Sequence, residues 1–272
     1  MKVAFIGAGV MGRAIAEGAA THQPGSWEFT FFDPNQAAAQ SAAQAVGGRS
    51  AASAADAVAG AEMVVLAVKP QVQSRVINSL PKLDGQILVS IAAGRTLADI
   101  GKDLSGSGQR DVPVVRVMPN VNAIVGHATT AVCGSADATD EQVAAVVTLF
   151  ESVGTTMQID EYLFGVFTAM AGSSPAWFFQ IVDELARAGV KYGLTKAQAT
   201  RAVCDTMLGS AVMLTKTLDE GGNPSQLIDR VSSPGGTTIA GLLAAQAAGL
   251  GPSLVSAVDA TVARDKELGN PQ

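Results

Sequence analysis

The sequence predicts an α/β protein with a parallel sheet in its N-terminal half and only helices in its C-terminal half. As far as about residue 160, short apolar runs alternate with alanine-rich stretches. Strands that alternate with helices are typical of βαβ units and a parallel sheet. Beyond about Tyr162 no convincing strand-like run follows. We therefore expect two domains, residues 1–160 and residues 161–272.

Five apolar segments of the first half are typical of strands buried on both faces. These strands are predicted at residues 3–6, 28–32, 63–68, 86–91 and 114–117. The helices between them are predicted at residues 11–20, 36–46, 54–59, 72–80 and 97–104. A further strand is expected at residues 128–132, and a helix at residues 141–153 with Asp140 as its N-cap.

A capping box opens the longest helix of the second half. The hydroxyl of Thr195 is expected to accept the backbone amide of Gln198, whose side chain reaches back. The helix is predicted to run as far as Thr217. The other helices are predicted at residues 176–188, ended by Gly189 or Gly193, at residues 239–247 and at residues 256–268.

Gly209 lies inside that longest helix, where a glycine costs about 1 kcal/mol relative to alanine. Such a glycine usually allows another backbone to approach closely. A small domain can bury helices that are apolar on most sides by pairing with another subunit. We therefore expect a homodimer at least.

Composition excludes several classes of function. The net charge of −6 disfavours nucleic acid and anionic membrane surfaces as partners. No run of about 18 apolar residues suggests a membrane span, and the first residues do not resemble a signal peptide. Cys133 and Cys204 form neither a disulfide framework nor a metal-ligand spacing, which fits a reducing cytoplasm and no metal.

The segment Gly7-Ala8-Gly9-Val10-Met11-Gly12 is a GxGxxG motif between a predicted strand and a predicted helix. The first glycine permits a tight turn, the second lets a pyrophosphate approach the backbone, and the third permits close packing of helix on strand. The helix N-terminus favours the phosphates. This context predicts a Rossmann-type dinucleotide site.

Asp33 ends the second strand, at the position where a carboxylate accepts hydrogen bonds from the ribose 2′-OH of NADH. It would repel the 2′-phosphate of NADPH. Arg13 is the nearest cation in the sequence and could serve the pyrophosphate or a 2′-phosphate. The residues favour NADH and leave NADPH open.

Ligands of open parallel sheets bind outside the carboxyl ends of the strands. Three further segments follow predicted strands there and are candidates for cofactor binding: Ala67-Val68-Lys69-Pro70, Ala92-Ala93-Gly94, and Asn120 after Met118-Pro119. Small residues would let a flat nicotinamide ring lie against the backbone.

A glycine-rich loop in the second half precedes an apolar helix. Ser233, Gly235, Gly236, Thr237 and Thr238 follow one another there, interrupted by a proline. Successive free amides at a helix start suit a substrate carboxylate, and the hydroxyls can donate hydrogen bonds. A capped helix start is the structural alternative.

His22 and His127 both suit surface turns, so no obvious acid for carbonyl reduction is present. A protonated imine needs little such help.

These motifs resemble the pyrroline-5-carboxylate reductase family over nearly the whole chain. The most specific element is the loop 232–238. The resemblance also includes, in order, residues 67–70, 90–94, 118–120, 172–176 and 206–211. It implies NAD(P)H-dependent reduction of 1-pyrroline-5-carboxylate to L-proline, the last step of proline biosynthesis, and a C-terminal helical dimerisation domain. Higher oligomers, commonly decamers, are implied as well.

By the same resemblance, the loop around Ser233 would hold the carboxylate, and Thr238 would bond the ring nitrogen as candidate proton donor. The chain departs from the family's usual Thr-Pro at Val121-Asn122 and from its usual tyrosine at Trp177.

Two other classes of protein share part of this pattern. A β-hydroxyacid dehydrogenase would need a lysine in the helix that contains Trp177, where none occurs before Lys191. A nucleotide-binding regulator would not need the 232–238 loop.

Overall fold

The structure is a computed structural model and describes residues Met1–Gly269. It divides into two compact units. The first, here called the sheet unit, comprises Met1–Ser173 together with a C-terminal segment that begins at Ala260. The second, the helical unit, comprises Ser174–Asp259. The predicted fold class, a Rossmann-type sheet domain with a C-terminal all-helical domain, is confirmed.

Eight strands form one sheet in the sheet unit. They are β1 (Lys2–Ile6), β2 (Glu28–Phe32), β3 (Arg49–Ser50), β4 (Met63–Leu66), β5 (Ile87–Ser90), β6 (Val114–Met118), β7 (Ala128–Gly134) and β8 (Gly154–Gln158). Their order is β3-β2-β1-β4-β5-β6-β7-β8. Neighbours are parallel except β6 and β7, which are antiparallel. The order reverses between β1 and β4, where open α/β sheets leave a crevice for ligands.

Helices cover both faces of this sheet. They are α1 (Val10–His22), α2 (Gln36–Val46), α3 (Ala54–Val58), α4 (Pro70–Ser79), α5 (Leu97–Gly106) and α6 (Asp140–Glu151). Phe5 and Phe31 stack in one buried cluster, with ring centroids 5.2 Å apart. Ile6 and Leu66 belong to the cluster on the opposite face. Because successive strand residues enter opposite cores, the central strands are mainly apolar, with Ser90 and Arg116 as exceptions, and these apolar runs predicted them.

The N-cap predicted for α6 is wrong by one residue. Thr139, not Asp140, caps the helix: its Oγ1 accepts the backbone amide of Gln142 at 3.3 Å, and Gln142 Oε1 accepts the amide of Thr139 at 2.9 Å. This reciprocal box satisfies two amides that would otherwise lack partners, which an aspartate inside the first turn cannot do.

Two edge strands were not predicted. β3 has only two residues, and β8 (Gly-Thr-Thr-Met-Gln) is partly exposed and therefore polar. Gly154 opens β8 with φ +152°, and a Cβ there would lie 2.0 Å from the carbonyl oxygen of Ala128. This strand thus depends on a glycine that lets it approach β7.

A helical stretch without a break follows the sheet. It consists of α7 (Phe164–Phe167), a π-helical segment (Thr168–Ser173) and α8 (Ser174–Lys191). A π-helix leaves backbone groups outside the regular ladder. The side-chain amide of Asn120 donates to the carbonyl oxygen of Ala171 at 3.0 Å and satisfies one of them. The helix predicted at residues 176–188 therefore begins earlier and extends to Lys191.

The helical unit begins with a close helix pair. Gly193, with φ +100°, follows the end of α8, whereas Gly189 lies within it. A Cβ at Gly189 would lie 2.8 Å from that of Ala199, so this glycine permits close packing of α8 on α9 (Lys196–Asp219). The predicted capping box at Thr195 and Gln198 is confirmed.

Three more helices follow: α10 (Pro224–Val231), α11 (Thr237–Ala247) and α12 (Leu250–Gly269). Helix α10 was not predicted, although Asn223 and Gln226 form a capping box at its start. Across the described residues, no single helix has both the length and the apolar character to cross a membrane. Only α11 and α12 together, bent by 51°, pass that test of length and composition.

Candidate active site

The glycine loop after β1 has the geometry that its three glycines predict. Gly7 has φ +104°, and a Cβ there would lie 2.5 Å from the carbonyl oxygen of Ala67. A Cβ at Gly12 would lie 3.0 Å from the side chain of Ala67, so the third glycine allows α1 to pack against the end of β4. A Cβ at Gly9 would meet no atom within 4 Å. The middle glycine therefore borders open space, as a pyrophosphate requires.

The start of α1 is available to an anion. Gly9 is the N-cap residue and offers no side chain to the first amides of the helix. Val10 is exposed, and Met11 packs partly against the core. Unsatisfied N–H groups at a helix N-terminus, together with the helix dipole, favour phosphate oxygens. The loop thus fits a dinucleotide by its shape and by its donors.

Asp33 is tied to the glycine loop. Its Oδ2 accepts the backbone amide of Ala8 at 2.9 Å, and its Oδ1 accepts the amide of Asn35 at 2.8 Å. The carboxylate therefore holds the glycine loop against the start of α2 and remains partly exposed. Arg13 pairs with Glu17 at 2.6 Å and donates to Ser41 Oγ at 3.2 Å. The nearest predicted cation is thus already paired with a carboxylate.

The other cofactor candidates of the sheet unit lie at the same edge of the sheet, because β1, β4, β5 and β6 are parallel. Ala67, Val68, Lys69 and Pro70 follow β4, with Lys69 exposed as the N-cap of α4 and Pro70 at its first position. Ala92, Ala93 and Gly94 follow β5; Ala92 and Gly94 are buried, and Gly94 has φ +73°.

Asn120 follows β6 and is buried, with its side chain fully engaged by the protein. Besides its bond to Ala171, its Oδ1 accepts the amides of Asn122 at 3.2 Å and Thr129 at 3.4 Å. The side chain thus orders the turn after β6. A contact with a cofactor would fall to the backbone of this residue.

The substrate candidates are together in one loop of the helical unit. Gly235 has φ +67°, and the amide of Gly236 donates to the carbonyl oxygen of Ser233 at 3.0 Å. Helix α11 begins at Thr237, and its N-cap residue, Gly236, supplies no side-chain bond. Ser233, Thr237 and Thr238 are exposed. The loop presents hydroxyls and free helix amides, as expected of an anion site.

Sequence reasoning missed an ionic cluster behind the cofactor edge. Arg116, on β6, is buried, pairs with Glu161 at 2.9 Å and lies over the ring of Phe164, 4.4 Å from its centroid. Glu161 also accepts the amide of Leu97 at 2.6 Å. Burial raises the pKa of Asp265, and Arg116 opposes that rise. An arginine within an apolar strand was the only sequence signal of this cluster.

Neither cysteine belongs to the candidate site. Burial, and then the nearby Glu161 carboxylate, raise the pKa of the Cys133 thiol, whereas Cys204 is exposed on α9. Within Met1–Gly269, no three histidine, cysteine, aspartate or glutamate side chains are grouped so as to hold a metal ion.

A Rossmann sheet with an open glycine loop, followed in the chain by a helical unit whose glycine-rich loop precedes an uncapped helix, is typical of a two-domain dinucleotide-dependent oxidoreductase. Family models agree. Residues 161–268 match the model described as pyrroline-5-carboxylate reductase dimerisation, and residues 2–94 match NADP oxidoreductase coenzyme F420-dependent.

Individual relatives narrow the class. Pyrroline-5-carboxylate reductase of Arabidopsis thaliana is 36% identical over 98% of this chain and 95% of its own, and that of Methanosarcina acetivorans is 34% identical over 98% of each. The crystal structure of the Streptococcus pyogenes enzyme is 36% identical, with a TM-score of 0.86 and 98% of each chain covered. The Plasmodium falciparum enzyme with NADP bound is 26% identical, with a TM-score of 0.86 and coverage of 99% and 98%. The chain belongs to the pyrroline-5-carboxylate reductase family.

Proposed function

We propose that this chain reduces 1-pyrroline-5-carboxylate to L-proline, the last step of proline biosynthesis. The observation that carries the proposal is the family match over 98% of the chain, which includes both the glycine loop and the loop 232–238. In this reaction a hydride is added to the carbon of the imine and a proton to its nitrogen. The nicotinamide dinucleotide, when bound, supplies the hydride.

The cofactor site that we propose lies at the carboxyl edge of the sheet. Its members are Gly7, Gly9, Val10, Met11, Gly12, Asp33, Ala67, Val68, Lys69, Pro70, Ala92, Ala93, Gly94 and Asn120. The open space at Gly9 and the free amides at the start of α1 support the placement of the pyrophosphate. The small, partly buried residues after β5 support placement of a flat ring beside them.

We propose that NADH is preferred over NADPH. The Plasmodium falciparum relative is described with NADP bound, so the proposed preference is argued from this chain's own residues. It is supported by the Asp33 carboxylate, which accepts the amide of Ala8 in the glycine loop, and by the pairing of Arg13 with Glu17. The Asp33 carboxylate would repel a 2′-phosphate, and Arg13, already paired with Glu17, would not offset that repulsion.

The substrate site that we propose is the loop before α11. The amides of Gly235 and Thr237 and the hydroxyls of Ser233 and Thr237 would bind the carboxylate, and Gly236, whose amide donates to the carbonyl oxygen of Ser233, would shape the turn. Thr238 would donate to the ring nitrogen as the catalytic proton donor. The exposed, uncapped start of α11 supports this assignment. A protonated imine is already electrophilic, so positioning contributes more than acid strength.

We propose that residues 1–160 bind the dinucleotide and that residues 161–272 bind substrate and pair with another subunit. Leu208 and Val212 of α9 are 66% and 63% exposed in the isolated chain, and Gly209 between them borders open space. Pairing of this face with another subunit would bury the apolar surface. It would also explain Gly209, which would let the backbone of the other subunit approach closely. A homodimer, assembled further into decamers, is expected. Light scattering at micromolar concentration tests the dimer, which a purely monomeric mass would contradict.

The same family membership disfavours a β-hydroxyacid dehydrogenase or a non-catalytic regulator. We further propose a cytoplasmic enzyme that acts on a small molecule and binds neither nucleic acid nor membrane, in keeping with its negative charge and free cysteines.

The deciding experiment measures oxidation of NADH and of NADPH with 1-pyrroline-5-carboxylate, beside a panel of hydroxy and keto acids. We expect the enzyme to oxidise the dinucleotide with the imine and with none of the hydroxy or keto acids. Turnover with a hydroxy acid alone would overturn the proposal.

A further inference from the structure

A buried polar chain lies directly beneath the carboxyl edge of the sheet. Gln73, on α4, is 0% exposed, and its side-chain amide donates to Ser90 Oγ, at the end of β5, at 2.7 Å. Its Oε1 accepts from Arg95 Nε at 3.3 Å. Arg95 in turn pairs with Asp103 of α5. Four residues from two helices, a strand and a loop thus form one connected network.

Chemistry fixes the orientation of the Gln73 carboxamide. An arginine can only donate, so the carbonyl oxygen of Gln73 must face Arg95. The NH2 group must then face Ser90, whose hydroxyl oxygen accepts. Ser90 Oγ also accepts the backbone amide of Ala92 at 3.4 Å. Both ends of one buried side chain are therefore satisfied, which is the condition for placing an amide in a core.

The network connects two loops. Gln73 lies three residues after Pro70, in the first turn of α4, and is therefore fixed relative to the loop after β4. Ser90 and Arg95 flank Ala92-Ala93-Gly94, the loop after β5. Hydrogen bonds are directional, so this link sets the spacing of the loops more narrowly than an apolar contact of equal size would.

We propose that Gln73 is a positioning residue for the dinucleotide, which holds the loops after β4 and β5 at the separation that the bound nicotinamide half requires. The inference rests on the proposed cofactor site, because both loops belong to it. Gln73 itself contacts neither cofactor nor substrate.

The test replaces Gln73 by methionine, which keeps the length of the side chain and removes both polar ends. Gln109→Met is the matched control. Gln109 is also buried and its Oε1 accepts the amide of Leu83 at 3.0 Å, but it lies before β6, at the opposite edge of the sheet. Gln73→Met loses the bonds at both ends of its amide, whereas Gln109→Met loses only the bond at Oε1, because its Nε2 has no partner among the described residues. Gln73→Met is therefore expected to lower the melting temperature more than the control.

The dinucleotide Kd separates a positioning role from a merely structural one. It is measured by nucleotide fluorescence without the imine. The kcat and KM values are measured as well, at a temperature well below the melting temperatures of both variants. For Gln73→Met we expect the Kd and the kcat/KM for dinucleotide to worsen about tenfold, with the KM for the imine changed less than about twofold. Gln109→Met should leave the Kd within about twofold of the unmodified protein. Equal Kd values for both variants would overturn the inference.

Two further variants keep the test decisive if Gln73→Met does not fold. Ser90→Ala removes the other end of the link and leaves Gln73 and Arg95 in place, so it should weaken dinucleotide binding in the same direction as Gln73→Met. Gln73→Glu keeps an acceptor toward Arg95 and can accept the Ser90 hydroxyl, so it should keep most of the affinity. A Ser90→Ala variant that binds the dinucleotide normally, or a Gln73→Glu variant that binds it as weakly as Ser90→Ala, would refute the role.

Gly9→Val distinguishes failure of the inference from failure of the proposed function. An unmodified protein that binds neither NADH nor NADPH would overturn both. An unmodified protein that binds, a Gly9→Val variant that does not, and a Gln73→Met variant that binds normally would overturn the inference alone.

Discussion

Replacing Asp33 by asparagine should move the cofactor preference toward NADPH. Asparagine keeps a carbonyl oxygen of the same reach and removes the negative charge. That oxygen can still accept the amide of Ala8 or of Asn35, which the carboxylate holds at 2.9 and 2.8 Å, but not both. Part of the loop's order is lost for either dinucleotide, so the ratio of kcat/KM values for NADPH and NADH is the quantity to compare.

The magnitude follows from the charges. Two unit charges about 4 Å apart repel by about 1 kcal/mol in water and by about 4 kcal/mol at an effective dielectric constant of about 20. Asp33 is partly exposed, so its repulsion of a 2′-phosphate falls toward the lower part of this range. With about 1.4 kcal/mol for each factor of ten, we expect the ratio to rise about ten- to hundredfold.

Initial rates with 1-pyrroline-5-carboxylate at low ionic strength measure the ratio, and added salt should reduce the difference. Asp84→Asn removes the same charge from the loop before β5, at the opposite edge of the sheet, and should leave the ratio unchanged. Glu17→Gln frees Arg13 from its 2.6 Å ion pair and should produce a smaller shift in the same direction. An unchanged ratio in Asp33→Asn would show that the carboxylate does not face the 2′ position.

Three other changes test separate parts of the structure. Thr238→Ala should lower kcat about a hundredfold and leave the dinucleotide Kd near normal, as single-turnover rates and nucleotide fluorescence will report; unchanged turnover would remove its role as proton donor. Gly9→Val should abolish dinucleotide binding in a fluorescence titration, because its side chain fills the open space at the helix start; normal binding would contradict the placement of the pyrophosphate. Asp265→Asn should raise the Tm measured by thermal unfolding at pH 7. Burial raises the pKa of this carboxyl in the folded chain, so its ionisation destabilises the fold at neutral pH, and the gain should vanish as the pH falls below the ordinary value of 3.8. A gain that grows in acid would refute the reasoning.

The sequence predicts the central strands and the glycine loop well because the forces that shape them act locally. The residues of β1 and β4 enter a core on each face, so every position after Lys2 is apolar and the run is visible without knowledge of neighbours. The spacing of Gly7, Gly9 and Gly12 is likewise set by one turn and one helix. Strand β8 escaped prediction because it lies at an edge and carries two threonines.

The polar framework of the site could not be predicted, because its partners are distant in sequence. Gln73 and Ser90 are 17 residues apart, Arg116 and Glu161 are 45 apart, and Leu97 and Glu161 are 64 apart. A glutamine in a helix or a serine at a strand end has many ordinary explanations. Only the tertiary fold shows that these side chains satisfy one another.

The different surroundings of the two cysteines make the unaltered chain convenient for single-site chemistry. A thiol reacts as its thiolate, and burial together with Glu161 keeps Cys133 protonated. Cys204 is open to solvent in the isolated chain, on the same helix as Leu208 and Val212. In the isolated chain a maleimide dye will therefore attach to α9 in preference to the sheet. Cys204, Leu208 and Val212 follow one another at four-residue spacing on one face of α9, so slow labelling of Cys204 would report that the proposed subunit contact covers this face.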